Sequence, residues 1–277
     1  MDTSVQPVGV MPAEQVDAAL AAAATATSLY DSVPWSFRCT STGIELHAER
    51  TQDHPGVDPF PRRLRVACGA ALLNLRVAVR ALGVTASVRL LPDPAQPDWL
   101  AVLHPLQRSP ATSAELTVAQ PLVSGFIAPA RLRAATVAEP ARNALRHAAR
   151  MEQAWLATID ATQLSQFNVL AAYPQPAMQN GTAPVSQPAS EGFEPNQLVA
   201  VIGTFGDLPL AQLQAGQSMQ RALLTAINLG LQPSLEPQVG ESPAGRQQLR
   251  QLIGGALWPQ MVLRLHHLSP APARNTA

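Results

Sequence analysis

The chain contains no lysine, because every one of its basic residues is an arginine. This absence excludes Schiff-base catalysis and a phosphate-binding P-loop, since both depend on a lysine amine. The 19 basic residues are balanced by 19 acidic residues, so the formal net charge is zero. The balance argues against nucleic acid as a partner, which would require a basic surplus on one face of the protein.

Aromatic residues are also scarce, at 4% of the chain, whereas hydrophobic residues make up 47%. The core is therefore expected to be aliphatic, built mainly from alanine, leucine and valine. The two cysteines, Cys39 and Cys68, are too few for a disulfide framework, and we expect both to be buried as small hydrophobic residues. The six histidines show no spacing that is typical of a metal site.

Long apolar runs are missing as well. No stretch approaches the roughly 18 consecutive apolar residues of a membrane span, so we predict no transmembrane helix. The alanine-rich run 18–26 resembles the apolar part of a signal peptide, but it has no basic leader, and Glu14 and Asp17 lie just before it. We therefore expect a cytoplasmic protein.

One segment of the chain occurs twice. Residues 68–84 and 215–231 both begin with a small residue and a glycine, continue as an apolar helical pattern, and end at Leu-Gly followed by an aliphatic residue. Similar strand patterns follow at 97–104 and 259–266. Two amphipathic helices can resemble each other by chance, but the matching strands favour an internal duplication. Such a fused dimer is expected to have a site at the interface between its halves.

Hydrophobic periodicity predicts a chain of mixed helices and strands, typical of an α+β protein. A hairpin turn is predicted at 40–43, and the clearest helix runs over 64–82 with Gly83 as its stop. One long helix is predicted over 137–164. The other predicted elements are a helix from 12 to about 27, strands at 35–39, 44–48, 86–90, 99–104, 198–203 and 261–266, and helices at 210–229 and 247–252.

These patterns divide the chain into five parts. The first half spans residues 12–104 and the second half spans residues 197–268. Residues 105–196 connect them through the long helix and a loop at 173–196, which is rich in proline and small polar residues and typical of a lid. Residues 1–11 are expected to be a disordered N-terminus, and residues 269–277 a tail.

Two motifs resemble those of a known family. The segment 28–38 resembles the Ser-x-x-Asn-x-Gln-Pro-Trp-x-Phe motif of flavin-dependent nitroreductases. The Cys-Gly-Ala-Ala sequence at 68–71 is similar to a helix of the actinobacterial Acg-type branch of that superfamily, and 215–231 resembles its C-terminal half. The resemblance covers both predicted halves. It implies an α+β, nitroreductase-like fold of two fused halves, each a mixed sheet packed by helices, with one FMN site between them.

The resemblance also implies which residues would contact the flavin. Pro34 and Trp35 would form an apolar wall and floor for the ring. An equal alternative is that Pro34 forms a turn and Trp35 anchors the core. Ser28 and Arg38 would donate hydrogen bonds to the ring. The flavin phosphate needs positive charge, which Arg108 would supply where the family has several arginines. Arg274 is a candidate to compensate for the missing arginines. The alternative is that Arg274 is a solvated charge in the tail.

Two positions of the motif depart from the family pattern. Asp31 stands where the family has asparagine, and Val33 stands where it has glutamine. An ionised aspartate only accepts hydrogen bonds and valine forms none, so the flavin would lose two donors at these positions. The sequence therefore keeps the scaffold better than the site, as a degenerate member would.

Three arginines open the clearest predicted helix, at Arg62, Arg63 and Arg65. Cations at a helix N-terminus oppose the helix dipole, so their placement needs an explanation. The sequence leaves two interpretations open, an anionic partner or a solvated face, and it slightly favours the solvated face.

The resemblance predicts an FMN-dependent NAD(P)H oxidoreductase that reduces nitro or quinone-like acceptors. No side chain is identified as catalytic, and no metal ligand is expected. The alternative is a non-catalytic flavin or small-molecule binding protein on the same scaffold. The expected partner is a small-molecule electron acceptor, with neither nucleic acid nor membrane. The chain is expected to act as a monomeric pseudo-dimer.

Overall fold

The computed structural model describes residues 6–26, 33–49, 62–124, 132–133, 136–172, 197–236, 239 and 242–268. Its elements in chain order are α1 (Ala13–Ala24), β1 (Trp35–Cys39), β2 (Ile44–Ala48), α2 (Arg62–Ala81), β3 (Val84–Leu90), β4 (Trp99–Arg108), α3 (Ser113–Ser124), β5 (Leu132–Arg133), α4 (Glu139–Met151), β6 (Trp155–Ile159), α5 (Leu164–Ala171), β7 (Leu198–Thr204), α6 (Pro209–Asn228), β8 (Leu231–Leu235), α7 (Pro243–Leu252) and β9 (Trp258–Leu268). Among the helices of these described ranges, none is both long and apolar enough to cross a membrane.

The first sheet is antiparallel and has the strand order β1-β2-β4-β3. Strands β1 and β2 form the predicted hairpin, in which Trp35 pairs with Ala48 and Cys39 pairs with Ile44. The turn between them is closed by hydrogen bonds between Thr40 and Gly43. The hairpin predicted from the sequence is therefore confirmed, strand for strand.

The second sheet repeats this arrangement with later strands. Strands β6, β7, β9 and β8 are neighbours in that order, and each pair is antiparallel. The two-residue strand β5 adds to β9 beside them. In each half one long helix joins the second strand of the sheet to the third, α2 in the first half and α6 in the second. The α+β class and the two similar halves are thus confirmed, and both sheets are antiparallel rather than mixed.

The helices α2 and α6 cross at a pair of glycines, Gly69 and Gly216. A Cβ atom added to Gly69 would lie 2.3 Å from the carbonyl oxygen of Leu213, and one added to Gly216 would lie 2.0 Å from that of Val66. The two contacts are equivalent under the sequence repeat. Val66 stands three residues before Gly69, and Leu213 stands three residues before Gly216. Reciprocal contacts of this kind are the signature of a two-fold interface, here formed within one chain.

The same repeat governs how the two helices end. Gly83 and Gly230 follow α2 and α6 with φ angles of +75° and +70°. A left-handed backbone at this place is strained for residues with a Cβ atom, so glycine is the natural stop. Each helix then turns directly into an edge strand, β3 in the first half and β8 in the second.

Apolar residues of both halves form one shared core. Helix α2 packs on the first sheet, α6 packs on the second sheet, and the two helices pack on each other. The largest buried cluster accordingly joins Leu46 and Leu72 of the first half to Met219 and Leu263 of the second. A separate cluster, which includes Phe167, covers the outer face of the second sheet with α5 and α7.

The single helix predicted over 137–164 is wrong. The structure has helix α4 up to Met151, strand β6 at Trp155–Ile159, and a new helix from Leu164. The apolar run at 155–159 suits a helix or a strand equally. It forms a strand because it pairs with β7. The elements α3, α5, β5 and β8 were not predicted, because they are short or weakly patterned.

The topology also bears on the division of the chain. Both α4 and β6 fall within residues 105–196, which the sequence pattern assigns to a connection. In the structure β6 pairs with β7 and α4 packs on α6, so both belong with the second sheet. The division at residue 197 stays a prediction, and the lid predicted over 173–196 lies outside the described residues.

The two cysteines differ in environment. Cys68 is buried as predicted, whereas the prediction for Cys39 is wrong because its side chain is exposed. Cys39 is the last residue of β1, which is an edge strand of the first sheet. Neither cysteine forms a disulfide.

Candidate functional site

Pro34 and Trp35 lie at the start of β1, beside the first turns of α2. Trp35 is 5% exposed and belongs to the large shared core, together with Leu64. Pro34 is buried, and its carbonyl oxygen accepts a hydrogen bond from the Sγ atom of Cys68 at 3.7 Å. The Pro-Trp pair is therefore an apolar wall that is anchored to α2 and buried in the core, as the core-anchor interpretation expects, and its contact with a flavin stays a prediction.

The other residues of the predicted motif are only partly visible. Val33 precedes β1 and is 55% exposed. Ser28, Asp31 and Arg274 lie outside the described residues. Their predicted contacts with a flavin stay predictions.

Arg108 lies far from the Pro-Trp wall. The wall borders the Trp99 end of β4, since Ala48 pairs with Trp35 and its amide donates to the carbonyl of Asp98. Arg108 is the last residue of β4, nine residues further on, which corresponds to about 30 Å of extended strand. Its Nη2 atom donates to the carbonyl of Val10 at 3.2 Å and to Oε1 of Gln15 at 3.1 Å. The structure does not bring Arg108 and the wall together.

Two other arginines lie beside the wall, at the start of α2. The Nη1 atom of Arg62 donates to the carbonyl oxygen of Gln260 at 2.6 Å. The Nη1 atom of Arg65 donates to Oε1 of Gln212 at 3.0 Å. Both acceptors belong to the second half, and both arginines are partly buried. The favoured interpretation of a solvated face is wrong for these two residues, because they bridge the halves.

We call this region the junction and define it by Pro34, Trp35, Arg62, Arg65, Gln212 and Gln260. It is the place where the first turns of α2 and α6 meet, next to the starts of β1 and β9. Arg65 and Gln212 stand four residues before the crossing glycines Gly69 and Gly216, so their contact follows from the crossing itself. The sequence repeat could have predicted this pairing, had the crossing been known.

A polar network on the second half supports the junction. Arg246 of α7 binds Asp207 through two parallel hydrogen bonds of 2.5 and 2.6 Å. Gln260 donates from Nε2 to Oγ1 of Thr204 at 2.8 Å and to Oδ1 of Asp207 at 3.1 Å. Gln212 donates from Nε2 to the carbonyl of Asp207 at 3.0 Å. The side-chain amide of Gln212 is thereby fixed with its oxygen toward Arg65, whereas the side-chain oxygen of Gln260 accepts from Arg246 at 3.3 Å and its main-chain carbonyl faces Arg62.

The ionisation of two groups follows from this packing. Burial by itself would raise the pKa of the Asp207 carboxyl, but the hydrogen bonds from Arg246 and Gln260 and the Arg246 charge outweigh it and hold the pKa below its ordinary value of 3.8. Burial raises the pKa of the Cys68 thiol well above its ordinary value, and the charge of Arg65 offsets this only in part. Cys68 is therefore a neutral thiol at physiological pH and not a nucleophile.

A second polar cluster joins the halves beyond the crossing. The Glu152 side chain is 5% exposed and binds Arg76 at 2.5 Å and Arg221 at 2.6 Å. Arg76 also donates to Oε1 of Gln217 at 2.5 Å. The cluster connects α2, α6 and the end of α4, and each of its charged groups contacts a group of opposite charge, so we interpret it as structural. No sequence motif marks it.

Two shallow grooves occur elsewhere in the described part of the chain, and neither lies at the junction. A groove of about 440 Å³ between α5 and α7 is lined by Gln166, Val169, Leu170, Gln248, Gln251 and Leu252. A groove of about 420 Å³ lies between α1, α2 and α3, and it is lined mainly by alanines. The described residues contain no group of three or more side chains that could hold a metal ion. The junction is therefore the candidate site, because arginines of the first half bond residues of the second half there, on the same helix that anchors Pro34 through Cys68.

Comparison with known proteins gives relatives in one bacterium. A Mycobacterium tuberculosis protein provisionally named NAD(P)H nitroreductase Rv3131 is 28% identical over 312 residues, covering 95% of this chain and 90% of the relative. The protein provisionally named NAD(P)H nitroreductase acg, from the same species, is 30% identical over 95 residues, covering 34% of this chain and 29% of the relative. No protein-family model matches the chain.

A solved structure of a nitroreductase with bound FMN from Bacteroides fragilis aligns with a TM-score of 0.41 at 11% identity, covering 60% of this chain and 98% of that one. Nearly the whole chain aligns with the mycobacterial protein, and its two halves have the same strand order. The chain is therefore similar to proteins of the nitroreductase superfamily, in the actinobacterial branch of these mycobacterial relatives.

Proposed function

We propose that the protein is a flavin-dependent NAD(P)H oxidoreductase of the nitroreductase type, with its cofactor at the junction. The observation that carries the proposal is the junction itself, where a buried Pro-Trp wall from one half meets polar side chains of the other. The names of the mycobacterial relatives support the same reaction class. FMN is the proposed cofactor, NAD(P)H the reductant, and a nitro or quinone-like compound the acceptor.

The residue types at the junction match the chemical groups of a flavin. A flavin has a flat, largely apolar ring and an anionic phosphate, so it needs an apolar surface and a nearby positive charge. Pro34 and Trp35 would supply the apolar surface, which the core covers almost completely in this structure, and Arg62 and Arg65 would supply the charge. Arg108 does not fit this arrangement, since it lies at the other end of β4.

A bound flavin would supply two-electron transfer from NAD(P)H to the acceptor, and the protein would supply binding and orientation. The wall would exclude water from one side of the ring. The fixed side-chain amide of Gln212 would hold Arg65 at the interface, and the main-chain carbonyl of Gln260 would hold Arg62 there. Cys68 lies behind the wall as a neutral thiol, so it takes no part in proton transfer.

The proposal is tested by the visible spectrum of the purified protein and by titration of FMN into flavin-free protein. We expect flavin binding and, under anaerobic conditions, bleaching of the bound flavin by NADH or NADPH. Lack of flavin absorbance together with no binding on titration would refute the proposal. Tight binding without reduction by either nucleotide would refute the oxidoreductase and identify the protein as a non-catalytic flavin binder.

A further inference from the structure

The groove between α1, α2 and α3 is a separate place from the junction. Alanines of all three helices line it, Ala18 and Ala22 from α1, Ala78 from α2 and Ala119 from α3. Ala78 stands 16 residues after Arg62 on α2, which is about 24 Å along the helix axis. The volume of the groove, about 420 Å³, falls within the range of small-molecule sites.

The lining of this groove is almost entirely hydrocarbon. Apart from Thr25, its described residues are alanine, leucine and valine, so they offer neither a charge nor a polar side chain. Val123, which also lines the groove, is 88% exposed, so the groove is open to solvent. A molecule bound there is therefore expected to be uncharged and largely apolar, because a buried charge would have no partner.

One buried polar side chain lies at the Thr25 end of the groove. Asn74 is completely buried on α2, four residues before Ala78, and so lies on the same face of the helix. Its Nδ2 atom donates to the carbonyl oxygen of Ala22 and to Oγ1 of Thr25, each at 3.3 Å. Because Ala22 and Thr25 both line the groove, the carboxamide lies between α2 and the lining.

The oxygen of the same carboxamide has no hydrogen-bond partner among the described residues. Thr25 does not supply one, because its hydroxyl donates to the carbonyl oxygen of Ala22 at 2.7 Å. The main-chain N–H groups of Thr25 and Ala26 donate to the carbonyls of Ala22 and Ala23. A buried acceptor without a donor is costly, so the Oδ1 atom of Asn74 needs an explanation.

We infer that the groove binds a small, uncharged, largely apolar alcohol or amide. Its hydrocarbon part would cover the alanines, and its O–H or N–H group would donate to Oδ1 of Asn74. This oxygen is closed to solvent, so the exposed side chain of Thr25, at the C-cap of α1, turns aside as the ligand enters. A water molecule would find few other polar partners in so apolar a groove, whereas such a ligand brings its own apolar part.

The test compares two isomers, n-hexanol and methyl pentyl ether, on the full-length protein. Both contain the same atoms, but only the alcohol has a group that donates a hydrogen bond. Dissociation constants are measured by NMR titration of isotope-labelled protein, in which the side-chain amide signal of Asn74 is assigned by its loss in Asn74→Leu. We expect n-hexanol to shift this signal and to bind about 3- to 10-fold more tightly than the ether.

Three variants locate the binding. Ala21→Trp places a large side chain at an exposed lining position and should weaken both ligands by more than about 10-fold through steric clash. Ala114→Trp is the matched control, since it adds the same side chain at an exposed position of α3 outside the lining and should leave both affinities within about twofold. Asn74→Leu removes the acceptor and should bring the alcohol and the ether within about twofold of each other.

Three outcomes would overturn the inference. Equal affinities of the two isomers for wild type would show that the Asn74 oxygen accepts nothing from the ligand. Unchanged binding in Ala21→Trp would place the ligand elsewhere on the chain. Failure of n-hexanol to bind wild type would remove the site. If Asn74→Leu does not fold, the comparison of the isomers on wild type and on Ala21→Trp still decides. None of these outcomes bears on the proposed flavin chemistry, which is measured without either ligand.

Discussion

Gln220 has the least favourable surroundings of the polar residues on α6. Its side chain is completely buried, and neither amide atom has a hydrogen-bond partner among the described residues. It stands four residues after Gly216, where the first copy of the repeat has Leu73, which is also completely buried. The second copy therefore has an amide at a position that the first copy fills with an aliphatic side chain.

The substitution Gln220→Leu is expected to raise the free energy of unfolding by about 1–2 kcal/mol, because it removes a buried polar group that forms no hydrogen bond. Urea denaturation of both proteins measures the difference. Gln217→Leu is the control on the same helix, since Gln217 accepts a bond from Arg76 and its loss should lower stability. A lower stability of Gln220→Leu would mean that the amide has a partner.

Asp207 makes the stability of the second half depend on pH. Its pKa in the folded protein lies below its ordinary value of 3.8, so the carboxylate stabilises the fold above pH 3.8. That contribution is lost as the pH falls through the lowered folded pKa. Wild type should therefore be more stable than Asp207→Asn at pH 6, and the difference should shrink steadily below about pH 4.

Denaturation of the two proteins from pH 6 to pH 3 measures this prediction. Taking the difference between them cancels the titration of the other carboxylates. A difference that stays constant over this range would show that Asp207 is not the titrating group.

At the scale of the elements, the crossing of α2 and α6 is the contact on which the two halves depend. The backbones approach so closely that a methyl group on either glycine would overlap with a carbonyl oxygen of the facing helix. Backbone atoms cannot move aside as a flexible side chain can, so the helices would have to separate. Separation would also pull Arg65 away from Gln212 and so disturb the junction.

Gly69→Ala and Gly216→Ala are each expected to lower the free energy of unfolding by about 3 kcal/mol, at the upper end of the usual effect of overpacking. The two values should be similar, because the contacts are reciprocal. Gly206→Ala is the matched control, since a Cβ atom there meets nothing within 4 Å and should change stability by less than about 0.5 kcal/mol. Chemical denaturation of the three variants measures these differences.

Tolerance of alanine at either crossing glycine would contradict the close approach of the helices. A large loss in Gly206→Ala would show instead that any added methyl group in this region disturbs the fold.

At the scale of the whole molecule, the two halves are not independent domains. The largest core cluster includes residues of both sheets and of both central helices. The cluster of Glu152, Arg76 and Arg221 adds a buried ionic contact across the same interface. An isolated half would expose this apolar surface and leave a buried charge without its partner.

We therefore expect one cooperative unfolding transition rather than two. Tryptophan fluorescence, which includes Trp35 in the first half and Trp258 in the second, and far-ultraviolet circular dichroism should give coincident urea curves. Two separated transitions, or curves that differ between the probes, would show that the halves unfold independently.

The sequence by itself determined the elements whose signals are local. The β1–β2 hairpin is marked by two short apolar runs around a Thr-Ser-Thr-Gly turn, and α2 by its apolar periodicity and the glycine that ends it. The repeat predicted two similar halves, because the same local pattern occurs twice and each copy needs the other to bury its apolar face. These predictions needed no knowledge of distant residues.

The tertiary structure alone decided the rest. Strand β6 lies inside a predicted helix, because its apolar run suits either form until β7 pairs with it. The junction consists of contacts between residues 147 and 198 positions apart, which no local pattern encodes. Arg108 lies far from Trp35 for the same reason, since position along a strand is fixed by pairing with its neighbours. Local chemistry set the elements, and long-range packing set which side chains meet.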